Sequence, residues 1–255
     1  MKKLLFAFVV LLLAGCLSSA PRDSVTQTST IDALLAGVYD GEMTLKELLR
    51  HGDLGIGTFE GLDGEMVVAD GVVYQVRADG RVYRPSAKVR TPFAAVTFFE
   101  PEAVVDLSKG MDYRQLQAFL DKQIGNPHLF YAFRIDGCFS RMHTRSVPAQ
   151  SKPYPPLSEV TKNQPEFAMS DIDGTIVGFR CPVYVKGINV PGYHLHFISK
   201  DRRRGGHILD FTLLEGRAEI DTSHRFVLIM PRNVAAMKNL DLSLDRGGDL
   251  EKVEQ

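Results

Sequence analysis

Three histidines carry the strongest chemical signal in this chain. His194 and His196 lie two residues apart in Pro191-Gly192-Tyr193-His194-Leu195-His196-Phe197-Ile198. His207 follows a polar turn, Ser199-Lys200-Asp201-Arg202-Arg203-Arg204-Gly205-Gly206. The two flanking stretches read as strands joined by that turn. Alternate strand residues share a face, so His194 and His196 point one way while Tyr193, Leu195 and Phe197 point the other. The turn folds the chain back, and His207 opens the returning strand within reach of the first pair. Three imidazoles converging from a rigid hairpin suit a catalytic zinc, which takes three protein ligands and keeps a fourth position open. A His-x-His pair alone is more often a polar strand face than a metal site. The third histidine, and the glycines that permit close approach, are what raise the metal reading. His51, His128, His143 and His224 stand alone and read as surface or capping residues.

The elements around this hairpin form a β-rich α+β pattern with few helices. Thr44-Leu45-Lys46-Glu47 is a capping box for a short helix. In Gly52-Asp53-Leu54-Gly55-Ile56-Gly57-Thr58, glycines alternate with apolar residues, which predicts backbone packed closely against a neighbour. Asp70-Gly71 predicts a hairpin turn between two Val-rich strands. Tyr113, Leu116, Phe119, Leu120 and Ile124 fall at helical spacing, with Asp112 as cap. Leu129 to Ile135 and Cys138 to Val147 read as a second hairpin around Asp136-Gly137. Further strands are expected near residues 166–169, 174–184, 207–213, 217–221 and 226–229. A boundary is expected near residue 127, with the proline-rich stretch 148–156 as the competing place; the first divides the chain into an N-terminal domain, 29–127, and a C-terminal domain, 128–255, that carries the histidines.

A chain of 255 residues, 44% hydrophobic and 24% charged, can fill one large or two small cores. A net charge of −1 implies no polyanion-binding field, so no nucleic-acid partner is expected. Met1-Lys2-Lys3 precedes an apolar run, Leu4 to Leu13, that is too short to span a bilayer. This is a secretory signal, residues 1–15, and Leu13-Ala14-Gly15-Cys16 resembles a bacterial lipobox in which Cys16 becomes lipidated. An ordinary signal cleaved near Ser18-Ser19-Ala20 is the competing reading. Residues 16–28 then form a small, polar tether. The protein is expected to be exported and attached to the membrane through this lipid anchor rather than by spanning it. Outside the cytoplasm Cys138 and Cys181 could pair.

Taken together, the chain resembles the α-acetolactate decarboxylase family. The resemblance rests on Gly52-Asp53-Leu54-Gly55-Ile56-Gly57-Thr58 with Leu62-Asp63-Gly64-Glu65-Met66, and on Thr144-Arg145-Ser146-Val147-Pro148 with Lys152-Pro153-Tyr154-Pro155. It rests also on Asn189-Val190-Pro191-Gly192-Tyr193-His194-Leu195-His196-Phe197 and Gly205-Gly206-His207. It implies two mixed or antiparallel β-sheet domains with the metal near their interface, and a homodimer. It implies Zn2+ on His194, His196 and His207, with Glu65 and Arg145 as functional residues. A second glutamate matches in the tail, where Glu254 is the choice by spacing and Glu251 the competitor. The implied substrate is acetolactate, 2-hydroxy-2-methyl-3-oxobutanoate. Loss of CO2 leaves an enediolate, which a metal would stabilise and a glutamic acid would protonate to give acetoin. Arg145 would pair with the substrate carboxylate or the enediolate oxygens, and Thr58 would line the pocket. Two alternatives keep the same ligands: an enzyme for a related 2-oxo or 2-hydroxy acid, and a lipoprotein that binds metal without turnover.

Overall fold

Strands arise where β-branched and aromatic residues dominate, and short helices where caps punctuate the loops. A computed structural model describes residues 23–254; the expected signal, and Cys16 as its expected lipidation site, lie outside the described residues. The first half comprises β1 (Ser24–Thr28), α1 (Ile31–Leu35), β2 (Met43–Thr44), α2 (Leu45–Leu48), β3 (Leu54–Thr58), β4 (Glu65–Ala69), β5 (Val72–Val76), β6 (Val82–Tyr83), β7 (Arg90–Thr91), β8 (Ala94–Thr97), β9 (Ala103–Leu107) and α3 (Tyr113–Gln123). The second comprises β10 (Phe130–Arg145), α4 (Leu157–Val160), β11 (Glu166–Cys181), β12 (Gly192–Ser199), β13 (Gly205–Ser223), β14 (Arg225–Ile229) and α5 (Gly247–Glu254). No helix among the described residues is long and apolar enough to cross a membrane.

Two sheets organise the β-rich α+β fold. One has seven strands in the order β14-β1-β8-β3-β4-β5-β6. The other has five, β10-β11-β12-β13-β9, and closes on itself because β10 also pairs with β13. The closed sheet is filled by Phe133, Phe139, Leu195, Phe197, Phe211 and Leu213, with Leu116 and Leu120 of α3 packed against them. A second cluster joins the sheets: Val25, Ile56 and Val67 from the first meet Ala132, Val177 and Phe179 from the second. Each such Val, Ile, Leu or Phe side chain contributes roughly 1.5–3 kcal/mol by leaving water.

Several local expectations hold. Thr44 and Glu47 form the reciprocal capping box, and Asp112 caps α3 through the Gln115 N–H. A Cβ on Gly57 would lie 2.4 Å from the Phe93 carbonyl oxygen, so β3 and β8 approach closely.

Three expectations are corrected. Ser24–Thr28 is a strand inside the seven-stranded sheet, not the end of a tether. Its central polar side chain is satisfied internally: the buried Gln27 amide donates to the Ser29 and Ile188 carbonyls, each at 2.7 Å. The chain also does not divide into sheets at residue 127, since β9 joins the second sheet and β14 pairs in parallel with β1 of the first. Finally, Asp136-Gly137 is no turn. β10 runs through it, as β11 runs through Gly174 and β13 through Gly216, and the three glycines are in register. A Cβ on Gly174 would sit 2.3 Å from the Phe197 ring, so packing, not chain reversal, accounts for that glycine. Cys138 is half-buried, Cys181 is buried, and both are free thiols.

Candidate metal centre and active site

The period of two along β12 buries Leu195 and Phe197 in the closed sheet and turns His194 and His196 to the opposite face, toward the first sheet. The Gly205–Gly206 return places His207 directly across from His196 in the β12–β13 ladder. The three ring centroids lie 5.0 to 5.3 Å apart. One nitrogen from each ring falls within 4.8 Å of the others, and His194 Nε2 is 3.2 Å from His196 Nε2. Tetrahedral zinc with Zn–N bonds of about 2.0–2.1 Å sets its ligand nitrogens about 3.3 Å apart, so the pair has the spacing of ligands.

Electrostatics agree with the spacing. All three histidines are buried, and burial disfavours their charged forms. Burial, aided by the Arg145 charge, pushes His194 down to about 3. His196 is held well below its ordinary value, by burial first and then by His194, and His207 by burial first and then by Arg145. Neutral imidazoles with free lone pairs are what a cation requires. The Met66 carbonyl lies 2.8 Å from His196 Nδ1, so Nδ1–H donates there and the Nε2 lone pair faces the other rings. The donor set therefore fits a zinc-type ion.

Two carboxyls flank the trio. Glu65 opens β4, and its Oε2 is 3.7 Å from His196 Nε2. Its Oε1 accepts from Arg145 Nη1 at 3.2 Å and from the Val147 N–H at 3.3 Å. Burial nonetheless pushes the Glu65 carboxyl up to about 7, against the opposing pull of Arg145 and Val147. Glu254, on the last turn of α5, sits 3.7 Å from His207 Nε2 and is also pushed up to about 7 by burial, with Arg145 opposing. Glu251, the competing tail residue, is exposed on the same helix. Arg145 ends β10 opposite His207 and donates through Nη2 to the Val253 carbonyl at 2.9 Å, tying α5 to the site. Its buried Nε has no partner among the described residues, which leaves a donor for a ligand oxygen.

Thr58 lines the cavity, yet its hydroxyl donates to the Gly64 carbonyl at 2.7 Å, just ahead of Glu65, and the two residues are paired across β3 and β4. Thr58 therefore braces Glu65. The apolar wall was not foreseen: Ile31 and Leu34 of α1, Leu157 of α4, Leu62, Phe93 and Val147 enclose the space beside the histidines. The buried face of α1 and its Thr30 cap were the available signal. A wider depression elsewhere is lined by four acidic and four basic side chains and by no histidine, and it lies apart from this chemistry.

Comparison with known proteins agrees with the arrangement. The α-acetolactate decarboxylase family model matches residues 25–244. The α-acetolactate decarboxylase of Methanosarcina mazei is 46% identical over 239 residues, covering 94% of this chain and 83% of that protein. That of Methylococcus capsulatus is 44% identical over 230 residues, covering 90% and 88%. The crystal structure of the Bacillus subtilis strain 168 enzyme superposes with a TM-score of 0.88 at 40% identity, covering 91% of this chain and 99% of that one. A match of this extent, over a fold that gathers the residues described above, places the chain in the α-acetolactate decarboxylase family.

Proposed function

We propose that the protein decarboxylates α-acetolactate to acetoin and CO2 at a zinc ion held by His194, His196 and His207. The observation that carries this reading is the convergence of three buried, neutral imidazoles with Glu65, Glu254 and Arg145 around one cavity. When bound, zinc supplies Lewis-acid stabilisation of the negative charge that develops as CO2 leaves. The chain's own groups do the rest. Arg145 binds substrate oxygens through its fork, with the unpartnered Nε as the free donor. The C–CO2 bond breaks, its electron pair passes into conjugation with the ketone, and the resulting enediolate carbon takes a proton from a carboxylic acid. Glu65 accepts two hydrogen bonds on Oε1, which favours its ionised form. This arrangement supports Glu254 as the proton donor and Glu65 as the charged orienting group. The apolar wall excludes water and leaves the substrate methyls a dry surface.

The reading extends to a homodimer anchored outside the cytoplasm through Cys16. The deciding experiment measures acetoin from racemic acetolactate with the form lacking the signal and Cys16. It is run as purified, after chelation, and after zinc is restored. Activity lost to chelator and regained with zinc is expected. A folded, zinc-loaded protein that forms no acetoin would reject the reaction.

A further inference from the structure

Thr144 immediately precedes Arg145 on β10 and is fully buried. Its Oγ1 donates to the Gly205 carbonyl of β13 at 2.9 Å, two residues before His207. Between them Gly206 adopts a φ of +136°, a backbone conformation that a side chain resists. A Cβ there would lie 2.4 Å from the Arg145 carbonyl oxygen and 3.1 Å from both Cβ and Oγ1 of Thr144. The Thr144 side chain therefore packs directly against the bare Gly206 backbone. The ladder slips beside it: His143 pairs with Asp210 but Thr144 with Ile208, which leaves Leu209 as a bulge. On its other side, the ladder between β12 and β13 has three pairs, at His207, Gly206 and Gly205, closed by the Ser199 N–H donating to the Arg204 carbonyl at 2.8 Å. Between a bulge on the β10 side and a three-pair ladder on the β12 side, the direction of this strand entry is open to adjustment by a side-chain bond.

We propose that Thr144 is a positioning residue for the metal centre. Its hydroxyl holds the Gly205 carbonyl and so sets the angle at which His207 joins His194 and His196, while its backbone carries Arg145 to the same point. This rests on the metal reading above. Groups that orient a metal ligand typically alter affinity by roughly 10–100-fold when removed.

The test uses the protein loaded with Co2+, whose visible absorption reports ligand geometry where d10 zinc is silent. Thr144→Val keeps the shape and removes the donor. It is expected to fold, to bind Co2+ roughly 10–100-fold more weakly, and to show shifted absorption bands; Thr144→Ser is expected to restore both. Thr175→Val removes another buried hydroxyl, bonded to Asp136 at 2.6 Å, and is expected to lower the Tm with the cobalt spectrum unchanged. If Thr144→Val does not fold, Thr144→Ala is measured on the same criteria. Wild-type affinity and spectrum in the hydroxyl-less variant would overturn the proposal, as would an equal spectral shift in Thr175→Val. A wild-type protein that takes up no Co2+ or Zn2+ would instead overturn the metal reading, and this inference with it.

Discussion

Replacing Arg145 with methionine in the metal-free protein should destabilise it by an amount that grows with pH. Arg145 faces two buried carboxyls, Glu65 and Glu254, and lowers both against the rise that burial imposes. In the wild type Glu65 titrates near 7 when folded, against about 4.5 unfolded. A raised folded value means the contribution is fully favourable below the unfolded value and is lost as pH climbs toward 7. Without Arg145 the folded carboxyls titrate higher still. Below about pH 6 they are neutral in both proteins, so the variant loses the hydrogen bonds from Nη2 to the Val253 carbonyl and from Nη1 to Glu65 Oε1 but no ion pair, starting from roughly 1.5–3 kcal/mol for a charged donor. Above pH 7 the wild type ionises while the variant must still bury neutral acids or unpaired charges. The gap then widens by just over 1 kcal/mol per pH unit for each carboxyl affected, toward the roughly 3–5 kcal/mol expected for a broken buried pair. Urea unfolding of both proteins in chelator at pH 6 and pH 8.5 measures this directly. An equal gap at the two pH values would refute the idea that Arg145 offsets the burial of these carboxyls.

Glu65→Gln should retain metal and lose rate by roughly 10²–10⁴-fold, the range for a charged or proton-handling group at the reacting centre; an unchanged kcat would end its proposed role. His194→Ala should lose metal and activity together, beyond the roughly 10–100-fold of an outer-shell change, and full zinc occupancy by elemental analysis would remove it from the ligand set. Cys16→Ser should move the protein from the membrane fraction to the soluble one; retention would show that Cys16 lipidation is not the anchor.

The legible parts of this protein are those whose physics is local. Alternation on β12 separates His194 and His196 from Leu195 and Phe197 within five residues, and the Asp112 cap with its apolar spacing marks α3. Family resemblance added Glu65 and Arg145, which have no local signature of their own. Gly137 misled because turn chemistry and close packing select the same residue; the Glu215 carbonyl that a Cβ there would meet at 2.7 Å lies more than seventy positions along the chain. Ser24–Thr28 misled because the Gln27 side chain finds its partners inside the fold, in Ile188 and Asn189, which no window around residue 27 contains. Glu254 and Glu251 share one helix and nearly one spacing, and docking of α5 alone turns one to His207 and leaves the other in solvent. Residue types and short periods were thus set by sequence. Which distant strands meet, and which carboxyl they enclose, followed from long-range packing, because a pairing between residues 65 and 145 or between 207 and 254 acquires its energy only once water has been excluded from both.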